Sequence, residues 1–416
     1  MGAQRICCGR CGRRADAMRI VLLHSRLDCR GGAENLLLWM ARGLSRRGHS
    51  VVVATPRYHP APWPAGAWDG IPIYRIQGRR ERLRTRVGKA DGRARFVAAI
   101  AADSDLVVAH NFPASVWATR ARDRMPRPRV IWYCHEPLSR FHWRTTLPTV
   151  AEASHSGGDR YPWAGEAFRE EIAQLQSKRK RATAVDRRLD RESVARLDGI
   201  LANSAFTAAA VASIYGRSAE TCLPGVSVPK IRAPGSAGRP YVAWVGSAAT
   251  QKNAVGFLEA LRIAVCERGA AALRVRAVGV DAPHLRALAA AKGIADAIVF
   301  EPRLSESALH ELIAGARLLA YPSIDEPFGL VPLEAMAHAR PVVASDRGGP
   351  SETVVSGVTG LLADPMDPTA LADAVLALWN DPARAQRLGA AGRERYAERF
   401  TLDHFLDRFE RLAFAR

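Results

Sequence analysis

The order of apolar and amphipathic segments is the feature that most limits what this chain can fold into. Short apolar runs typical of buried parallel strands alternate with segments that repeat apolar residues at helical spacing. In the first group, residues 18–25 and 50–55 are predicted strands, and residues 35–47 are a predicted helix that ends before Gly48. Because parallel strands need a crossover connection, this order predicts a βαβ unit.

The alternation occurs in two series, separated by a linker at residues 223–228 that contains Pro224 and Gly225 and is followed by Pro229. Two such series predict an α/β protein with two doubly wound domains, in which ligands bind beyond the carboxyl ends of the strands. Further helices are predicted at 205–215 and 253–267. Further strands are predicted at 105–110, 130–135, 199–203, 241–246, 273–279, 297–301, 317–322, 341–345 and 360–362.

The composition excludes several classes of protein. Hydrophobic residues make up 48% of the 416 residues, which is typical of a folded chain long enough for two domains. No apolar run reaches the ~20 residues of a membrane span, and the basic N-terminus lacks the apolar region of a secretory signal. A cytoplasmic protein, or one bound peripherally to a membrane, is therefore expected.

The seven cysteines do not make a disulfide framework in a chain of this length. Cys7, Cys8 and Cys11 cluster near the start, but no second Cys/His pair nearby completes four metal ligands. Residues 1–17 are interpreted instead as a basic, cysteine-containing, disordered tail, with Met18 as an alternative start of translation.

The net charge of +19 is concentrated in the first half of the chain. Residues 1–225 hold 38 basic and 20 acidic residues, whereas residues 226–416 hold 22 and 21. This asymmetry favours an anionic partner for the first half: nucleic acid, anionic lipid or a diphosphate-bearing acceptor. Solvated arginines without a partner are the alternative. Because the basic stretches lack interleaved aromatic residues, we do not expect nucleic acid.

Two stretches account for much of this charge. Residues 75–95 hold nine basic and two acidic residues, and residues 169–196 hold nine and five. Both are interpreted as surface insertions, the second being part of a basic helical insertion around 139–197. A solvated helix is the default interpretation, and a membrane-surface patch is the alternative.

Two glutamates enclose the most informative string in the chain. Between Glu326 and Glu334 lies PFGLVPL, in which Pro332 suits the first turn of a helix that contains Glu334. With Glu326 in the preceding loop, both carboxylates can point into one pocket. Gly329 lets the backbone approach a ligand, and the helix N-terminus favours a phosphate or sugar oxygen.

The segments EPFGLVPLEAMA, RPVVASDRGGPSE and GVTGLLADP are similar to the donor-site core of the group 1 retaining glycosyltransferases, which have the GT-B fold. GGAENLLLWMARGLSRRGHSVVVAT resembles that family's first glycine turn and helix, and LANSAFTAAAVASIYG resembles its last N-domain strand and helix. WVGSAATQKN resembles the phosphate-binding loop of the C-domain. The resemblance extends over nearly the whole chain from Met18, and it implies two Rossmann-like domains facing each other across a cleft.

The resemblance also implies what each domain does. Residues 18–225 would form the acceptor-binding domain, and residues 226–395 would form the nucleotide-sugar-binding domain. Residues 396–416 would form a helix that returns to the first domain. Residues 224–230 would act with it as a hinge between open and closed states.

The roles of the donor-site residues follow from the same resemblance. Glu334 would bind the ribose hydroxyls and Glu326 the hydroxyls of the donor sugar, while Lys252 would neutralise the diphosphate as negative charge builds on it. His135, at a strand end, would touch the donor sugar, so the implied catalytic residues are His135, Glu326 and Lys252. The implied donor-binding residues are Gly31, Gly32, Ser247, Lys252, Phe328, Gly329, Leu330, Val331 and Glu334.

Other residues receive weaker assignments. His110 and Glu136 are placed on the acceptor side, and His24 is interpreted as structural. No metal or other cofactor is expected, because lysine and helix dipoles serve the diphosphate in this family and no metal-binding Asp-x-Asp or His pair is present. Ser247 stands where the family usually has arginine, so one diphosphate cation is missing from its usual place. Ala339 stands where the family usually has glycine, and we expect this change to affect packing only.

The expected function is transfer of a hexose from a GDP- or UDP-linked sugar to an acceptor hydroxyl with retention of configuration. The segment YCHEPLSRF is similar to mannosyltransferases, which favours mannose. A lipid-linked or polysaccharide acceptor at the inner membrane face, in cell-envelope glycan biosynthesis, suits the basic first half. A catalytically weak or inactive partner protein and a nucleotide-sugar epimerase are the alternatives.

Overall fold

The structure, a computed structural model, describes residues 17–76, 86–125, 128–155, 170, 173, 177, 183–229 and 240–415. Residues 1–132 and 192–199 belong to one unit, and residues 133–191 and 200–416 belong to a second. Residues 1–16 of the predicted tail, and most of the segment between 156 and 182, lie outside the described residues.

The first half of the chain contributes a seven-stranded sheet in the order β3-β2-β1-β4-β5-β6-β7. β1 pairs in parallel with both β2 and β4, so the strand order reverses direction between β1 and β4. The division between the two units passes through β5. The strands are β1 Arg19–Leu23, β2 Ser50–Thr55, β3 Ile73–Arg75, β4 Leu106–Ala109, β5 Arg129–Cys134, β6 Gly199–Ala202 and β7 Glu220–Thr221.

Helices connect these strands, and two of them, α1 and α7, lie where the sequence predicts helices at 35–47 and 205–215. The apolar stripe of α1 is buried, including Leu37, Met40 and Leu44, and Gly48 follows the helix with a φ of 96°. That left-handed conformation is the one a glycine adopts most readily at a helix end. The helices are α1 Gly32–Arg46, α2 Arg86–Ile100, α3 Ala114–Ala121, α4 Ser139–Thr146, α5 Pro148–His155, α6 Ala184–Ala195 and α7 Ala205–Tyr215.

The described parts of the segments 75–95 and 139–197, predicted as surface insertions, are helices that are not solvated on all sides. The predicted helices are present, but apolar residues among the charges bury one face of each. Ala94 of α2 and both Leu189 and Val194 of α6 are buried. From α4 and α5, Trp143, Leu147, Val150, Ala151 and Ala153 pack in one buried cluster with Ile324 and Met366.

The second half contributes a six-stranded sheet in the order β10-β9-β8-β11-β12-β13, with every pairing parallel. The order reverses between β8 and β11, and ligands of doubly wound sheets bind at such a reversal. Trp244 and Phe257 are fully buried in the core beneath it. The strands are β8 Val242–Val245, β9 Val275–Val278, β10 Ile298–Glu301, β11 Leu318–Tyr321, β12 Val342–Ser345 and β13 Gly360–Ala363.

The helices of this half begin at side-chain caps in several places. The hydroxyl of Ser305 and the carboxylates of Asp367 and Asp381 each accept a hydrogen bond from the first turn of the helix that follows. The predicted helix at 253–267 is observed as α8, extended by a π-helical turn, Ile263–Glu267. The helices are α8 Ala254–Arg262, α9 Pro283–Ala291, α10 Glu306–Gly315, α11 Leu330–Ala337, α12 Pro350–Thr353, α13 Pro368–Trp379, α14 Pro382–Arg399 and α15 Leu402–Ala413.

The last helix is held by contacts within the second unit. Phe405 and Phe409 of α15 are fully buried, and the Phe405 ring lies 5.9 Å from that of Tyr133 in β5. Gly225 packs directly on the carbonyl of Thr401, where a Cβ atom would clash. The segment before the second sheet is therefore anchored to the start of α15.

The backbone conformation of Ala339, just after α11, shows that this residue affects more than packing. Its φ is 54°, in the left-handed region that glycine adopts without strain. The substitution therefore has a backbone consequence. A non-glycine residue in this conformation costs of order 1 kcal/mol.

Candidate functional site

The reversal of strand order in the second sheet places two predicted site residues together. Lys252 follows β8, and Glu326 follows β11. The Lys252 ammonium donates to Glu326 Oε2 at 2.6 Å and to the Tyr321 hydroxyl at 3.0 Å. The two loops are also joined by a backbone hydrogen bond of 2.7 Å from Ile324 N to Gln251 O. The sequence predicts Lys252 and Glu326 in one site, and the geometry brings them into contact.

The charge state of this pair follows from its surroundings. Burial by itself lowers the pKa of Lys252, but the Glu326 carboxylate and the Tyr321 hydroxyl outweigh it and raise that pKa well above its usual range. Burial, with the Glu326 carboxylate, raises the pKa of Tyr321 to about 12. Lys252 is therefore a fixed cation at neutral pH.

The loop that carries Glu326 is anchored by the residue before it. Asp325 has a φ of 50° and is buried, and its carboxylate accepts from Thr149 N at 2.8 Å and from Thr149 Oγ1 at 2.8 Å. A third hydrogen bond comes from Val150 N at 3.4 Å. Asp325 thus caps the N-terminal end of α5 and holds Glu326 through its backbone.

Two glycines bring the loop after β12 against the same segment. Gly349 N donates to Glu326 O at 2.8 Å, and a Cβ atom on Gly349 would clash with the backbone of Phe328. A Cβ atom on Gly348 would lie 2.5 Å from Glu326 O. These glycines are needed because the two backbones touch.

The start of α11 matches the predicted loop-then-helix arrangement. Gly329 precedes the helix with a φ of 84°, and a Cβ atom there would lie 3.0 Å from the Tyr321 ring. Leu330 and Val331 form the first turn, where backbone N–H groups have no partner within the helix. Glu334 lies in the helix and is buried, whereas Glu326 lies in the loop.

Glu136 is a third carboxyl group of this site. It follows β5, and its Oε1 is buried without a hydrogen-bond partner among the residues that the structure describes. Burial and, to a smaller extent, the Glu326 carboxylate raise the pKa of Glu136 to about 8, although Lys252 opposes the rise. Next to it, the His135 carbonyl accepts from Asn203 Nδ2 at 2.8 Å, and the His135 ring packs edge-on against Tyr133.

Gly31, Gly32 and His110 lie in the first unit. His24 follows β1 and His110 follows β4, at the reversal of strand order in the first sheet, and their ring centroids are 6.1 Å apart. Burial lowers the pKa of His24 to about 4, so its ring is neutral at physiological pH. A Cβ atom on Gly31 would lie 2.8 Å from the Glu34 carboxylate, so Gly31 makes room for that side chain.

Ser247 is a half-buried residue just after β8, and its hydroxyl accepts from Ala249 N at 3.4 Å. In the described part of the chain, no group of three or more His, Cys, Asp or Glu side chains is arranged to hold a metal ion. Among the same residues, no helix has the length and apolar character needed to cross a membrane.

Two protein-family models match this chain in succession. The model of "Glycosyl transferase 4-like domain" matches residues 31–224, and that of "Glycosyl transferases group 1" matches residues 229–395. The chain belongs to the group 1 glycosyltransferase family. The enzyme class predicted from the sequence, a glycosyltransferase, is confirmed with it.

Several curated proteins are similar to this chain. It is 30% identical over 308 residues to D-inositol 3-phosphate glycosyltransferase of Nocardia farcinica, covering 68% of this chain and 61% of the relative. It is 36% identical over 176 residues to alpha-maltose-1-phosphate synthase of Mycobacterium tuberculosis, covering 39% of this chain and 44% of the relative. The matched part thus spans less than two thirds of either relative.

Solved structures share the fold of this family member. Anabaena HepE in complex with UDP has a TM-score of 0.72 at 19% identity, covering 96% of this chain and 100% of that one. Sucrose-phosphate synthase from Thermosynechococcus elongatus has a TM-score of 0.71 at 20% identity, covering 95% and 98%. The predicted GT-B fold is confirmed.

The sequence does not predict some of the residues that shape the site. Tyr321 accepts from Lys252, and Asp325 with Thr149 anchors the Glu326 loop. Tyr321 lies at the end of a predicted strand, and this position alone indicates a candidate site residue. Nothing local in the sequence indicates the contact between Asp325 and Thr149, because the two residues are far apart along the chain.

Proposed function

We propose that the protein is a retaining glycosyltransferase that moves a hexose from a nucleotide diphosphate sugar to an acceptor hydroxyl. The observation that carries the proposal is the Lys252–Glu326 pair, 2.6 Å apart at the strand reversal of the second sheet and next to the loop that leads into α11. A cation and a helix N-terminus suit the diphosphate, and a carboxylate suits the sugar hydroxyls.

In the proposed reaction, the bond between the anomeric carbon and the diphosphate oxygen breaks. A new bond forms between that carbon and the acceptor hydroxyl oxygen, and the hydroxyl proton passes to the departing nucleoside diphosphate. Lys252 would stabilise the charge that builds on the diphosphate, and the backbone of Phe328, Gly329, Leu330 and Val331 would hold the donor. Glu334 would bind the ribose, and His135 would contact the donor sugar. No metal or cofactor is needed in this scheme.

The donor and acceptor are proposed more narrowly. GDP-mannose is the first donor to test, because of the likeness of YCHEPLSRF to mannosyltransferases. UDP-glucose is the second, because Anabaena HepE has been solved in complex with it. The acceptor would be a lipid-linked sugar or a growing cell-envelope polysaccharide, bound by the basic first half with His110 on the acceptor side, whereas Gly31 and Gly32 would approach the donor phosphate. The protein would work in the cytoplasm, peripherally on the inner membrane face.

A screen of nucleotide sugars tests the proposal. Thermal shift and mass spectrometry would identify the bound donor, and NMR of the transferred product would give the anomeric configuration. We expect one nucleotide sugar to bind and an α-linked product to form from an α-linked donor. Inverted product would overturn retention. Binding without transfer to any acceptor would favour the inactive partner protein that Ser247 leaves open.

The membrane part of the proposal has a separate test. Vesicles that contain anionic lipid should retain the protein at low salt and release it as salt screens the charges. Vesicles of neutral lipid are the control. Equal binding to both kinds of vesicle, or to neither, would overturn the association.

A further inference from the structure

Glu136 lies in the described site, yet no step of the proposed reaction uses it. Its Oε1 is buried and lacks a hydrogen-bond partner within the described residues, although burying an unpaired polar atom is costly. Such an atom points to a ligand that completes its hydrogen bonding. The charged groups that act on Glu136 point to the nucleotide sugar as this ligand, because they are Glu326 and Lys252, the two proposed donor residues.

The surroundings of Glu136 disfavour a second negative charge. Lys252 is already committed to Glu326, at 2.6 Å, and the carboxylate of Glu326 repels a charge on Glu136. A bound diphosphate would add still more negative charge. A neutral carboxyl group avoids this repulsion and still carries an O–H donor.

We propose that Glu136 is a substrate-binding residue that works as an uncharged carboxylic acid and donates a hydrogen bond to an oxygen of the bound nucleotide sugar. The inference rests on the proposed function and assigns one more contact to the same site. It differs from a general base, which would need the ionised carboxylate. A pKa near 8 keeps Glu136 protonated at neutral pH.

The pKa values of Lys252, Tyr321 and Cys134 lie above the range in which Glu136 should titrate. Lys252 has a pKa above its usual range, and that of Tyr321 is about 12. Burial raises the pKa of the Cys134 thiol, which faces Glu136, well above its usual range. His135 is adjacent in the chain and requires a variant of its own, His135→Gln.

The experiment measures binding of UDP-glucose and GDP-mannose to the full chain by calorimetry between pH 6.5 and pH 9.5. Wild-type affinity should fall as pH rises through about 8, by up to roughly tenfold per pH unit beyond it. Glu136→Gln keeps a neutral donor, so its affinity should stay near the neutral-pH value throughout. Glu136→Ala should bind more weakly at neutral pH. Glu301→Gln, which removes a carboxylate paired with Arg276 on β9, is the matched control and should follow the wild type.

The outcomes separate the two proposals. If the wild type binds neither nucleotide sugar at any pH, the proposed function fails and this inference fails with it. If the wild type binds but its affinity is independent of pH, or if Glu136→Gln binds as weakly as Glu136→Ala, only the role of Glu136 is overturned. If His135→Gln also abolishes the pH dependence, the titration belongs to His135 and the inference fails. Infrared difference spectra of wild type against Glu136→Gln give a ligand-free readout: a protonated carboxyl band at pH 6.5 supports the proposal, and its absence overturns it.

Discussion

The loops after β11 and β5 each carry a partly buried glutamate into the same site, but they give it different partners. The Glu326 loop has a lysine 2.6 Å from the carboxylate and is held by Asp325 and by Gly349. Among the described residues, Glu136 forms no ion pair within its own loop, and its pKa rises to about 8. Burial and the neighbouring charges together set the pKa of a buried carboxyl group, so two glutamates of one site need not behave alike. Five predictions test this difference, from the largest expected effect to the smallest.

Removing the shared cation should have the largest effect. Lys252→Ala takes away both the partner of Glu326 and the proposed diphosphate ligand, so we expect kcat to fall about 10²–10³-fold. Steady-state kinetics with the identified donor measure this. Lys292→Ala is the matched control, because Lys292 pairs with Glu259 in the same unit. A loss of similar size in the control would show that any lysine removal destabilises the unit.

Glu334 tests whether the helix carboxylate acts apart from the loop pair. Glu334→Ala should weaken nucleoside diphosphate binding by about 2 kcal/mol, because hydrogen bonds to a charged group are lost. Calorimetry with UDP and GDP measures the change, with Glu352→Ala as a comparison variant on α12. Unchanged affinity in Glu334→Ala would contradict the proposed ribose contact.

Glu136→Gln should show how the raised pKa of Glu136 affects the stability of the protein. A raised pKa means that the folded protein holds a proton that the unfolded chain has already released, so this group makes stability fall between pH ~4.5 and about 8. The variant lacks that loss, so its Tm should exceed that of the wild type by an amount that grows over this window and then levels off. Thermal melts at pH 5, 7 and 9 measure it. An equal Tm difference at all three values would show that Glu136 does not titrate there.

Asp325→Asn should loosen the Glu326 loop without touching the ligand. It weakens hydrogen bonds to Thr149 and Val150, at a cost of about 1–2 kcal/mol in the free energy of unfolding. Denaturant titration measures the loss. A double-mutant cycle with Thr149→Val should show coupling between the two changes, whereas additive effects would mean that the contact does not anchor the loop.

Ala339→Gly should have the smallest effect, and it should be stabilising. Glycine adopts the observed φ of 54° without strain, so we expect a gain of up to about 1 kcal/mol, partly offset by the greater freedom of glycine in the unfolded chain. Ala335→Gly, inside α11, is the control and should destabilise by a similar amount. Loss of stability in Ala339→Gly would mean that the left-handed conformation carries no strain.

The sequence predicts the elements of this fold closely, because strands and helices are encoded by local apolar patterns. The helix at 205–215 and the strand at 50–55 have their predicted bounds, and the other predicted strands differ by a residue or two at either end. The sequence also predicts that Lys252 and Glu326 lie in one site, because parallel strands bring their carboxyl ends to one edge of a sheet. The resemblance to the group 1 glycosyltransferases implies donor-site roles for both residues.

What the sequence does not reveal depends on contacts between distant parts of the chain. Charged stretches within 75–95 and 139–197 suggest solvent exposure, but a few apolar residues such as Val97 and Leu189 bury one face of each helix. The partner of Asp325 is Thr149, and no local pattern pairs them. The conformation of Ala339 is equally invisible, because alanine favours a helix and only the turn after α11 imposes a positive φ.

The contact between Phe405 and Tyr133 has a consequence for how the chain is made. Tyr133 leaves the ribosome roughly 270 residues before its partner, and the strand that carries it is an interior strand of the first sheet. The buried surface around Tyr133 therefore stays incomplete through most of translation, and packing between residues so far apart slows folding. During synthesis the second unit would be exposed to chaperones and proteases until α15 emerges and docks.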